Sequence, residues 1–242
     1  MTGAIGGIGR ALVATFLDAD FQVVASDHLD TVPEGFPGSA YVPADLAKFA
    51  EDKGYADSVV TAIRQHLGNT RLVGLINNAA IQILGGTDRL DRADWRLTLN
   101  VNLLAPFMLV QCFLPELEAA RGCVINIGSI HARLTKRNFV AYATSKAALA
   151  GMTRALAVDL GPRVRVNGIE PAAIETEMLR AGFEGKPEEY AQLAACHPQS
   201  RLGQPEEVAK LALAMVGGGM EFLHGVCVGL DGGIGARLFD PD

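Results

Sequence analysis

Short apolar or β-rich segments alternate with helix-length segments along nearly the whole chain, and this alternation limits the folds that it can adopt. The segments are FQVVASD (21–27), SAYVPAD (39–45), RLVGLINN (71–78), GCVINIGS (122–129), RVRVNGIEP (163–171) and GVCVGLDGG (225–233). Strands that are apolar throughout are buried on both faces, as they are in parallel sheets covered by helices. The pattern therefore predicts an α/β fold, with a doubly wound parallel sheet in a single domain over residues 1–242.

The helix-length segments lie near residues 50–67, 142–160 and 206–216, with a further one that carries apolar side chains at four-residue steps (Trp95, Leu99, Leu103, Phe107). Gly68 is placed to end the first of them. Residues 177–204 break the alternation between the last two strands. A long excursion in a compact domain predicts a substrate loop or lid, and a surface helical hairpin is the alternative.

The composition is that of a globular protein whose partners are small molecules. Hydrophobic residues make up 49% and charged residues 20% of the 242 positions, and the net charge is −6 without any basic stretch. A nucleic-acid-binding chain would need concentrated positive charge, so we expect no such partner. No apolar run has the length of a membrane span and no secretory signal is visible, so no membrane partner is expected either. The four cysteines form no C-x-x-C pair and no metal-type spacing, which favours a reduced, cytoplasmic protein without a bound metal.

A glycine-rich segment, TGAIGGIGR at 2–10, stands directly before a helix-forming run. Its Gly3, Gly7 and Gly9 allow a tight turn in which backbone N–H groups approach a pyrophosphate at a helix N-terminus. Together with Ile8 they are the candidate cofactor-binding residues of this segment. The cofactor that this arrangement predicts is a dinucleotide.

An acidic residue, Asp27, ends the next strand 18 residues after Gly9. A carboxylate there can accept hydrogen bonds from the adenosine ribose hydroxyls and would repel a 2′-phosphate. The next side chain is His28 rather than an arginine that would bind that phosphate. The sequence therefore predicts NAD as the cofactor rather than NADP, and an acid in a surface turn is the alternative interpretation of Asp27.

The glycine-rich segment lacks the strand that normally leads into it, because only Met1 and Thr2 precede Gly3. In a doubly wound sheet that first strand is central, so its absence should leave a slot between its two neighbours. We expect that the chain begins at an internal start site and that the protein has about six to eight further apolar residues. The alternative is a truncated chain that holds its cofactor loop poorly.

Tyr142 and Lys146 lie four residues apart at the start of a helix-like run, thirteen residues after Ser129. Residues four apart share one helix face, so the phenol and the ammonium point the same way, and a serine at a strand end can face both. A neighbouring cation favours the phenolate, which would lower the pKa of Tyr142 from about 10. The three residues are therefore candidates for acid–base chemistry.

Because its sequence motifs occur in a particular order, the chain resembles the short-chain dehydrogenase/reductase family over nearly its whole length. The motifs that carry the resemblance are TGxxxGIG at 2–9, NNAA at 77–80, NVNL at 100–103, Ser129, YxxxK at 142–146, NGIEPAAIET at 167–176 and RLGQPEEVA at 201–209. The resemblance implies a Rossmann-like form of the doubly wound fold. It also implies an NAD(P)-dependent oxidoreductase that acts on CH–OH groups.

The resemblance further implies a role for each matching residue. Tyr142 would exchange a proton with the substrate oxygen, while Lys146 would lower the pKa of Tyr142 and hold the nicotinamide ribose. Ser129 would hydrogen-bond the substrate carbonyl, and Asn102 would hold a water molecule in a proton relay. The alternative for Asn77 and Asn102 is that they bridge backbone groups inside the sheet, and both roles can coexist. Tyr142 is also among the implied cofactor-binding residues, and the remaining cofactor contacts, from the adenine to the carboxamide, are Asp45, Leu46, Asn77, Ile174 and Thr176.

Two positions depart from the pattern of the family. Ala80 stands where the usual motif is NNAG, and Ala172 stands where a Pro-Gly pair is usual. Alanine disfavours a positive φ, so the backbone there must avoid that region or accept strain. We expect altered packing at these positions and retained activity.

The substrate is indicated only by the loops beside Ser129. Gln82 and His131 resemble the positions at which 3-hydroxybutyrate dehydrogenases of this family hold a substrate carboxylate, and Arg133, Lys136 and Arg137 add positive charge. Gln82, Ser129 and His131 are therefore candidate substrate-binding residues, for a small 3-hydroxy or 3-keto acid. A solvated surface loop is the alternative, and the apolar side chains of the 177–204 segment would equally suit a hydrophobic alcohol, a sugar derivative or an acyl chain.

The sequence thus predicts an NAD-dependent oxidoreductase that interconverts a secondary alcohol and a ketone by hydride transfer. The alternative is a catalytically impaired dinucleotide-binding sensor or scaffold. The complete set of Ser129, Tyr142 and Lys146 argues against it, since a binding module has no need of the acid. The resemblance implies a homodimer or homotetramer, and the alanine-rich helix at 142–160 could pack closely against a partner copy.

Overall fold

Within the residues that the computed structural model describes, 1–37 and 40–238, six parallel strands form the centre of the fold. They are β1 (Val24–Asp27), β2 (Ala40–Pro43), β3 (Gly74–Asn77), β4 (Cys123–Ile127), β5 (Arg165–Pro171) and β6 (Cys227–Leu230). β1 pairs with β2 in one sheet, and the other sheet has the order β3-β4-β5-β6. Each strand lies inside a segment predicted from the sequence, although Ser39 of the second segment lies outside the described residues. The predicted parallel α/β architecture is confirmed.

Ten α-helices in the described part of the chain cover both faces of the strands. They are α1 (Gly7–Asp18), α2 (Leu46–Glu51), α3 (Lys53–Leu67), α4 (Arg92–Leu99), α5 (Ala105–Cys112), α6 (Leu114–Ala120), α7 (Val140–Leu160), α8 (Glu177–Gly182), α9 (Pro187–Ala195) and α10 (Pro205–Val216). The helix predicted near 50–67 is interrupted because Asp52 is extended and caps α3, accepting a hydrogen bond from the N–H of Tyr55 at 3.0 Å. A π-helical turn, Asn100–Leu104, joins α4 to α5.

Two apolar cores lie on opposite faces of the strands. One includes Phe113 and side chains of α3 and α5, and the other includes Leu12 of α1 and Met215 of α10. Successive side chains of a strand point to opposite faces, so Val124 belongs to the first core and Ile125 to the second. This double coverage explains why the strand segments are apolar throughout.

The chain begins between β1 and β3, at the carboxyl ends of these strands. Thr2 pairs in parallel with Ser26, the amino group of Met1 donates a hydrogen bond to Val24 O at 2.9 Å, and the N–H of Thr2 donates to Ile76 O at 3.0 Å. Below Met1 the two strands stay apart around a cavity of about 720 Å³. The slot that the sequence predicts between the neighbours of a first strand is therefore present.

The segment 177–204 contains the two short helices α8 and α9. Glu175, just before it, accepts hydrogen bonds from Arg180 at 3.1 Å, from Tyr190 at 2.8 Å and from Gln204 at 2.7 Å. These three partners lie near the start, the middle and the end of the segment, so one carboxylate ties both helices to the region after β5. The segment is helical, as its hairpin interpretation requires, and its role as a substrate loop stays a prediction.

Among the described residues, no single helix has the length and apolar character needed to cross a membrane, and one bent pair, Arg92–Cys112 with Leu114–Ala120, meets that criterion by length and composition alone. The same residues contain no group of three or more His, Cys, Asp or Glu side chains that could hold a metal ion.

Candidate active site

The predicted site residues gather at the carboxyl ends of the strands, where open α/β sheets form their clefts. Asp27 ends β1, Asn77 ends β3 and Ser129 follows β4. α1 starts at Gly7, immediately after the turn of the glycine-rich segment, and α7 starts two residues before Tyr142. The fold thus brings the candidate cofactor residues and the candidate acid–base residues to the same edge of the sheet.

The three predicted glycines allow close contacts that a side chain would prevent. Gly3 has a φ of +63°, and a Cβ on it would lie 2.7 Å from the Cα of Ala79. A Cβ on Gly9 would overlap the carbonyl oxygen of Gly3, and one on Gly7 would lie 2.8 Å from the methyl carbon of Thr176. Glycine is therefore required at all three positions for this turn to pack as it does.

The N-terminus of α1 is open to an anionic ligand. Its N-cap residue is Gly6, which is exposed and has no side chain to cap the helix, and the first turn contains no acidic residue. The N–H groups of this turn, which includes the half-buried Ile8, therefore have no side-chain acceptor. Together with the helix dipole they favour a pyrophosphate at this place.

Thr2 and Asn78 hold the glycine turn in place, and neither is among the site residues predicted from the sequence. Thr2 Oγ1 accepts hydrogen bonds from the N–H groups of Asn78 and Ala79, at 3.1 Å each. Asn78 Nδ2 donates to the carbonyl oxygens of Thr2 at 3.1 Å and Gly3 at 2.9 Å. The sequence feature that could have indicated this role is the asparagine that stands directly after a buried strand in a chain that also contains a glycine turn.

Asp27 anchors the glycine turn to the end of β1, with its side chain only 9% exposed. One carboxylate oxygen accepts a hydrogen bond from the N–H of Ile5 at 2.9 Å, and the other contacts the N–H and Nδ1 of His28 at 2.8 and 2.7 Å. A carboxylate has about four acceptor directions, and these three contacts use most of them. Asp27 therefore has a structural role, with about one acceptor direction left for the predicted ribose contact.

Thr176 and Ile174 bring the region after β5 against the glycine turn. Thr176 caps α8 by accepting a hydrogen bond from the N–H of Leu179 at 3.2 Å, and its methyl group faces Gly7. Ile174 is buried and pairs with Gly203. Thr176 therefore lies next to the glycine turn, and the cofactor contacts of both residues stay predictions.

Three further predicted cofactor residues already have structural partners. Asp45 caps α2 by accepting hydrogen bonds from two N–H groups of that helix, and Leu46 is buried beneath it. Asn77 is 3% exposed, and its Nδ2 donates to Asn126 Oδ1 at 2.9 Å inside the protein. The cofactor contacts predicted for these three residues stay predictions. The side chain of Asn77 is buried, so a contact between Asn77 and the cofactor would not come from an exposed side chain.

Ser129 and Tyr142 form the acid–base pair of the site. Ser129 Oγ accepts a hydrogen bond from the N–H of His131 at 3.1 Å, and the Ser129 side chain lies close enough to the phenol of Tyr142 to influence its pKa. Burial raises the pKa of Tyr142 above its ordinary value, and the hydrogen bond with Ser129 opposes this rise. Tyr142 is therefore protonated at neutral pH and able to donate its proton.

The pKa of Tyr142 is raised by burial rather than lowered, which corrects the direction expected from the sequence, and the role of Lys146 at the nicotinamide ribose stays a prediction. Lys146 is 2% exposed, its Nζ donates a hydrogen bond to Ile127 O at 2.8 Å, and it lies 5.7 Å from the centre of the Tyr142 ring. Burial lowers the pKa of Lys146 to about 8 because the charged form loses its hydration. The four-residue spacing does place both groups on one helix face, but burial dominates both of their pKa values.

Asn102 lies in the π-helical turn, and both the nitrogen and the oxygen of its side chain make hydrogen bonds. Its Nδ2 donates to Ile81 O at 2.9 Å and to Ser145 Oγ at 3.0 Å, while its Oδ1 accepts from the N–H of Ile81 at 2.9 Å. Ser145 donates in turn to the carbonyl oxygen of Tyr142 at 2.7 Å. The side chain of Asn102 thus ties the loop after β3 to α7, which is the bridging role considered from the sequence, and the water relay stays a prediction.

His131 forms an aromatic cluster with Phe139 and Tyr142. The rings of His131 and Phe139 are stacked at 4.4 Å, and Tyr142 meets them edge-on at 5.7 and 6.1 Å. Burial, and to a smaller extent Lys136, lower the pKa of His131, so this imidazole is neutral at neutral pH. It can offer a hydrogen bond to a substrate beside Tyr142, whereas it does not supply a positive charge there.

Gln82 is exposed in the loop that follows β3. This loop lies against the one that leads to α7, because Gly85 pairs with Phe139 and its N–H donates to Asn138 O at 2.8 Å. The fold therefore brings the loop of Gln82 to the side of the cleft where Phe139 lies. A contact between Gln82 and the substrate stays a prediction.

Arg133 connects three parts of the site, and the sequence analysis assigned it only to a basic loop. Its Nε donates to Glu170 Oε2 at 2.9 Å, and its Nη2 lies 3.9 Å from Asp231 Oδ2. Glu170 is buried in β5, so the guanidinium compensates a carboxylate that has lost its water. Arg133 therefore fastens the loop after Ser129 to β5 and to the segment after β6.

Ala80 and Ala172 occupy unstrained backbone. The residues other than glycine that have a positive φ in the described part of the chain are Asp20, Arg121, Asn138 and Ser200. Neither departure from the family motif therefore imposes backbone strain at the site.

Comparison with known proteins finds similarity over almost the whole chain. A sequence model of the family described as enoyl-(acyl carrier protein) reductase matches residues 3–235. The 3-oxoacyl-[acyl-carrier-protein] reductase FabG of Thermotoga maritima is 33% identical over 244 residues, which cover 97% of this chain and 96% of that protein.

Two solved structures extend the similarity to the fold. The aldohexose dehydrogenase of Thermoplasma acidophilum, in ligand-free form, superimposes with a TM-score of 0.90 at 27% identity, covering 100% of this chain and 94% of its own. A protein of Beutenbergia cavernae, described as a candidate NAD(P)-dependent gluconate 5-dehydrogenase with NADP bound at low occupancy, gives a TM-score of 0.85 at 32% identity, covering 98% and 95%.

Proposed function

The chain belongs to the short-chain dehydrogenase/reductase family, and we propose on this basis that it transfers hydride between a nicotinamide dinucleotide and a carbon bearing a secondary alcohol or ketone oxygen. The observation that carries the proposal is that Ser129, just after β4, and Tyr142, at the start of α7, lie together on the same edge of the sheet as the glycine turn. Two donors next to a nucleotide-type cradle are what a carbonyl reduction requires.

The residues present fit a dinucleotide. The uncapped N-terminus of α1 suits the pyrophosphate, and a Cβ at Gly7 would fill the space between this turn and Thr176. Asp27 lies where the adenosine ribose would sit, and we assign the nicotinamide ribose to Lys146. When bound, the nicotinamide supplies the hydride for reduction or accepts it in oxidation.

The protein supplies the proton and stabilises the developing charge on the substrate oxygen. In ketone reduction the phenol of Tyr142 donates its proton to that oxygen, and its raised pKa keeps the phenol protonated at neutral pH. Ser129 donates a second hydrogen bond to the same atom, which stabilises the alkoxide-like transition state. In alcohol oxidation the phenolate of Tyr142 accepts the proton of the substrate hydroxyl, and a hydrogen bond from Ser129 lowers the cost of forming that phenolate beforehand.

For the cofactor we favour NAD over NADP, because a 2′-phosphate would approach the carboxylate of Asp27. His28 is the next side chain, and it already contacts that carboxylate. The Beutenbergia cavernae protein was solved with NADP, so the family resemblance supports either dinucleotide and the preference depends on Asp27 alone.

For the substrate we propose a small molecule with a 3-hydroxy or 3-keto acid unit. FabG of Thermotoga maritima is by its name a 3-oxoacyl reductase, which supports this class. His131 offers a neutral hydrogen-bonding ring beside Tyr142, and Gln82 lies exposed in the adjoining loop. Arg133 is held by Glu170, so we assign it no substrate contact.

We also propose a homodimer or homotetramer in the cytoplasm. Apolar side chains on α4, α5 and α7 that remain exposed in the single chain support an interface between copies, namely Leu97, Phe107 and Val158. The four cysteines are all present as thiols, which fits a reducing compartment. Light scattering measures the oligomeric state directly.

The test is a panel of secondary alcohols and ketones, including 3-hydroxy and 3-keto acids, assayed with NAD and NADP in parallel by the absorbance of the reduced cofactor. We expect turnover on at least one 3-hydroxy or 3-keto acid, faster with NAD. Tight cofactor binding without turnover on any compound would contradict the proposal and favour the sensor or scaffold alternative.

A further inference from the structure

A buried carboxylate, Glu170, lies near the end of β5, on the same edge of the sheet as Ser129. Glu170 is 3% exposed, and its ion-pair partner is Arg133, at 2.9 Å. Replacing a buried ion pair with well-packed apolar side chains of similar volume is often neutral or stabilising. Stability alone therefore does not explain a carboxylate at this place, and its contacts indicate a second role.

Glu170 contacts the chain on both sides of Ser129. On one side, the N–H of Gly128 donates to Ile169 O at 2.7 Å, and a Cβ on Gly128 would lie 3.1 Å from Glu170 Cγ. That distance is closer than an ordinary contact, so the glycine makes room for the Glu170 side chain. On the other side, the carboxylate binds the guanidinium of Arg133, four residues after Ser129. One side chain thus fixes both ends of the short segment that carries Ser129.

Ser129 depends on this segment for the direction of its hydroxyl. Residues 130–132 form a single 3₁₀ turn, and Ser129 is its N-cap. Ser129 Oγ accepts a hydrogen bond from the N–H of His131 at 3.1 Å, and Ser129 O accepts one from the N–H of Ala132 at 2.9 Å. A hydroxyl that already accepts a hydrogen bond is polarised and becomes a better donor of its own proton. The turn therefore prepares Ser129 to donate, which is what carbonyl reduction requires of it.

Arg133 fastens this turn to the body of the protein. It is the C-cap of the turn, and its N–H donates to Ile130 O at 3.0 Å. Residues 134–138, which follow it, are all exposed. On this side the turn is held by the ring of His131, which stacks on Phe139 at 4.4 Å, and by the ion pair of Arg133. Loss of the ion pair would therefore leave the turn free to shift.

The segment after β6 is shaped around the guanidinium of Arg133. A Cβ on Gly229 would lie 3.0 Å from Arg133 Nη2, and the same nitrogen lies 3.9 Å from Asp231 Oδ2. Asp231 is itself held in place, because its Oδ1 accepts a hydrogen bond from the N–H of Gly233 at 2.9 Å. The guanidinium therefore lies within reach of two carboxylates, although the Arg133 side chain is half-exposed.

We propose that Glu170, acting through Arg133, is a positioning residue that fixes the direction in which Ser129 presents its hydroxyl to the substrate oxygen. The proposal rests on the reaction proposed above, because it concerns a donor that this reaction uses. Glu170 itself contacts neither the substrate nor the cofactor. Misplacing a catalytic group by about 1 Å can cost roughly 100-fold in rate. Loss of the Glu170 carboxylate should therefore impair turnover while the glycine turn and its cofactor contacts stay unchanged.

The first test measures the pKa of Tyr142, which burial raises and Ser129 lowers. Glu170→Met removes the carboxylate, keeps a similar volume and leaves Arg133 free to be hydrated. NMR of tyrosine isotopically labelled at Cζ follows each phenol, and Tyr142→Phe assigns the signal. We expect the pKa of Tyr142 to rise in Glu170→Met, as in Ser129→Ala, because Ser129 no longer opposes the effect of burial. Removing a negative charge would by itself lower that pKa, so a lowered or unchanged pKa would overturn the proposal.

Three further variants accompany this one. Glu170→Gln keeps an oxygen that can accept from Arg133 Nε, so the pKa of Tyr142 should stay at its original value. Replacing both Arg133 and Glu170 with methionine leaves no charge unpaired, so this variant should fold even where Glu170→Met does not, and it should also raise the pKa of Tyr142. Glu118→Met breaks an ion pair with Arg163 near the amino ends of β4 and β5 and should change nothing at the site. An equal rise in Glu118→Met would indicate general loosening and would overturn the proposal.

The second test is kinetic and uses the panel of alcohols and ketones described above. In Glu170→Met we expect kcat to fall by roughly 10- to 100-fold, with KM and NAD affinity within about twofold of the original, and Glu170→Gln should recover most of the rate. An unchanged kcat, or a loss confined to KM, would overturn the positioning role. If the original chain turns over no compound, the proposed reaction fails, whereas the titration of Tyr142 still decides whether Glu170 positions Ser129.

Discussion

The ammonium group of Lys146 donates a hydrogen bond to the carbonyl oxygen of Ile127 at 2.8 Å, inside the protein at the end of β4. Burial lowers its pKa from 10.5 to about 8. Between these two values the unfolded chain holds a proton that the folded chain has released. The free energy of unfolding therefore rises with pH across this window, and the cost of burying the cation is fully present below about pH 8.

Replacing this lysine with an uncharged side chain, Lys146→Met, should remove that dependence. Between pH 7.5 and pH 10.5 we expect the free energy of unfolding of the original chain to rise by about 3 kcal/mol more than that of the variant. Urea denaturation at several pH values measures both chains. Burial also raises the pKa of Tyr142, which both chains share, so the difference between them isolates Lys146. Parallel curves for the two chains would contradict the assignment.

The sequence predicts the position of Lys146 but not its pKa, and the reason is physical. The four-residue spacing from Tyr142 follows from helix geometry, so the shared face of α7 is predictable. The sign of the pKa shift depends on how much water each group keeps, and that depends on packing between β4 and α7 rather than on spacing. Helix breaks show the same limit, since Asp52 divides α2 from α3 through one local hydrogen bond.

Contacts between residues that are far apart in the chain could also not be predicted from the sequence. Thr2 and Asn78 are 76 positions apart and meet because β3 lies beside the start of the chain. Arg133 and Glu170 are 37 positions apart and meet because the loop after Ser129 lies against β5. In contrast, the glycine turn and the strand segments carry their signal locally, in backbone freedom and in continuous apolar runs, and so they could be predicted.

Removing the hydroxyl of Ser129 should impair catalysis and change its pH dependence. In Ser129→Ala we expect kcat to fall roughly 100-fold, as for the loss of one oxyanion donor. The hydrogen bond with Ser129 lowers the pKa of Tyr142, so its loss should move the pH profile of alcohol oxidation to higher pH. Ser129→Thr keeps a hydroxyl and is the control, which should retain the original profile. An unshifted profile in the alanine variant would show that Ser129 does not act through Tyr142.

The ion pair of Arg133 and Glu170 should stabilise the loop after Ser129. Arg133→Ala leaves the Glu170 carboxylate buried without its cation, and we expect this to lower the free energy of unfolding by roughly 1–3 kcal/mol, less than for a fully buried pair because Arg133 is half-exposed. Adding Glu170→Gln to that variant removes the unpaired charge and should recover part of the loss. A double variant as unstable as the sum of the two single variants would show that the pair is not coupled.

Changing the charge of Asp27 should change the cofactor preference. Asp27→Asn keeps an oxygen that can accept the hydrogen bond from Ile5, so the glycine turn stays anchored while the negative charge is lost. We expect the Kd for NAD to rise about tenfold, as one charge-assisted hydrogen bond weakens, and the Kd for NADP to stay constant or fall. Asp27→Ala is the comparison that also releases the turn and should weaken both cofactors. Equal losses for NAD and NADP in the asparagine variant would remove the basis for preferring NAD.

Removing the phenolic hydroxyl should separate proton transfer from cofactor binding. In Tyr142→Phe we expect turnover to fall by roughly 10²- to 10⁴-fold, which is the usual contribution of a positioned general acid. The ring contacts with His131 and Phe139 do not involve the hydroxyl, so the fold of the cleft should be preserved. The affinity for NAD should therefore stay within a few-fold of the original, as measured by titration calorimetry alongside steady-state kinetics. Undiminished turnover in this variant would exclude Tyr142 as the acid, whereas a parallel loss of NAD affinity would show that its hydroxyl binds the cofactor instead.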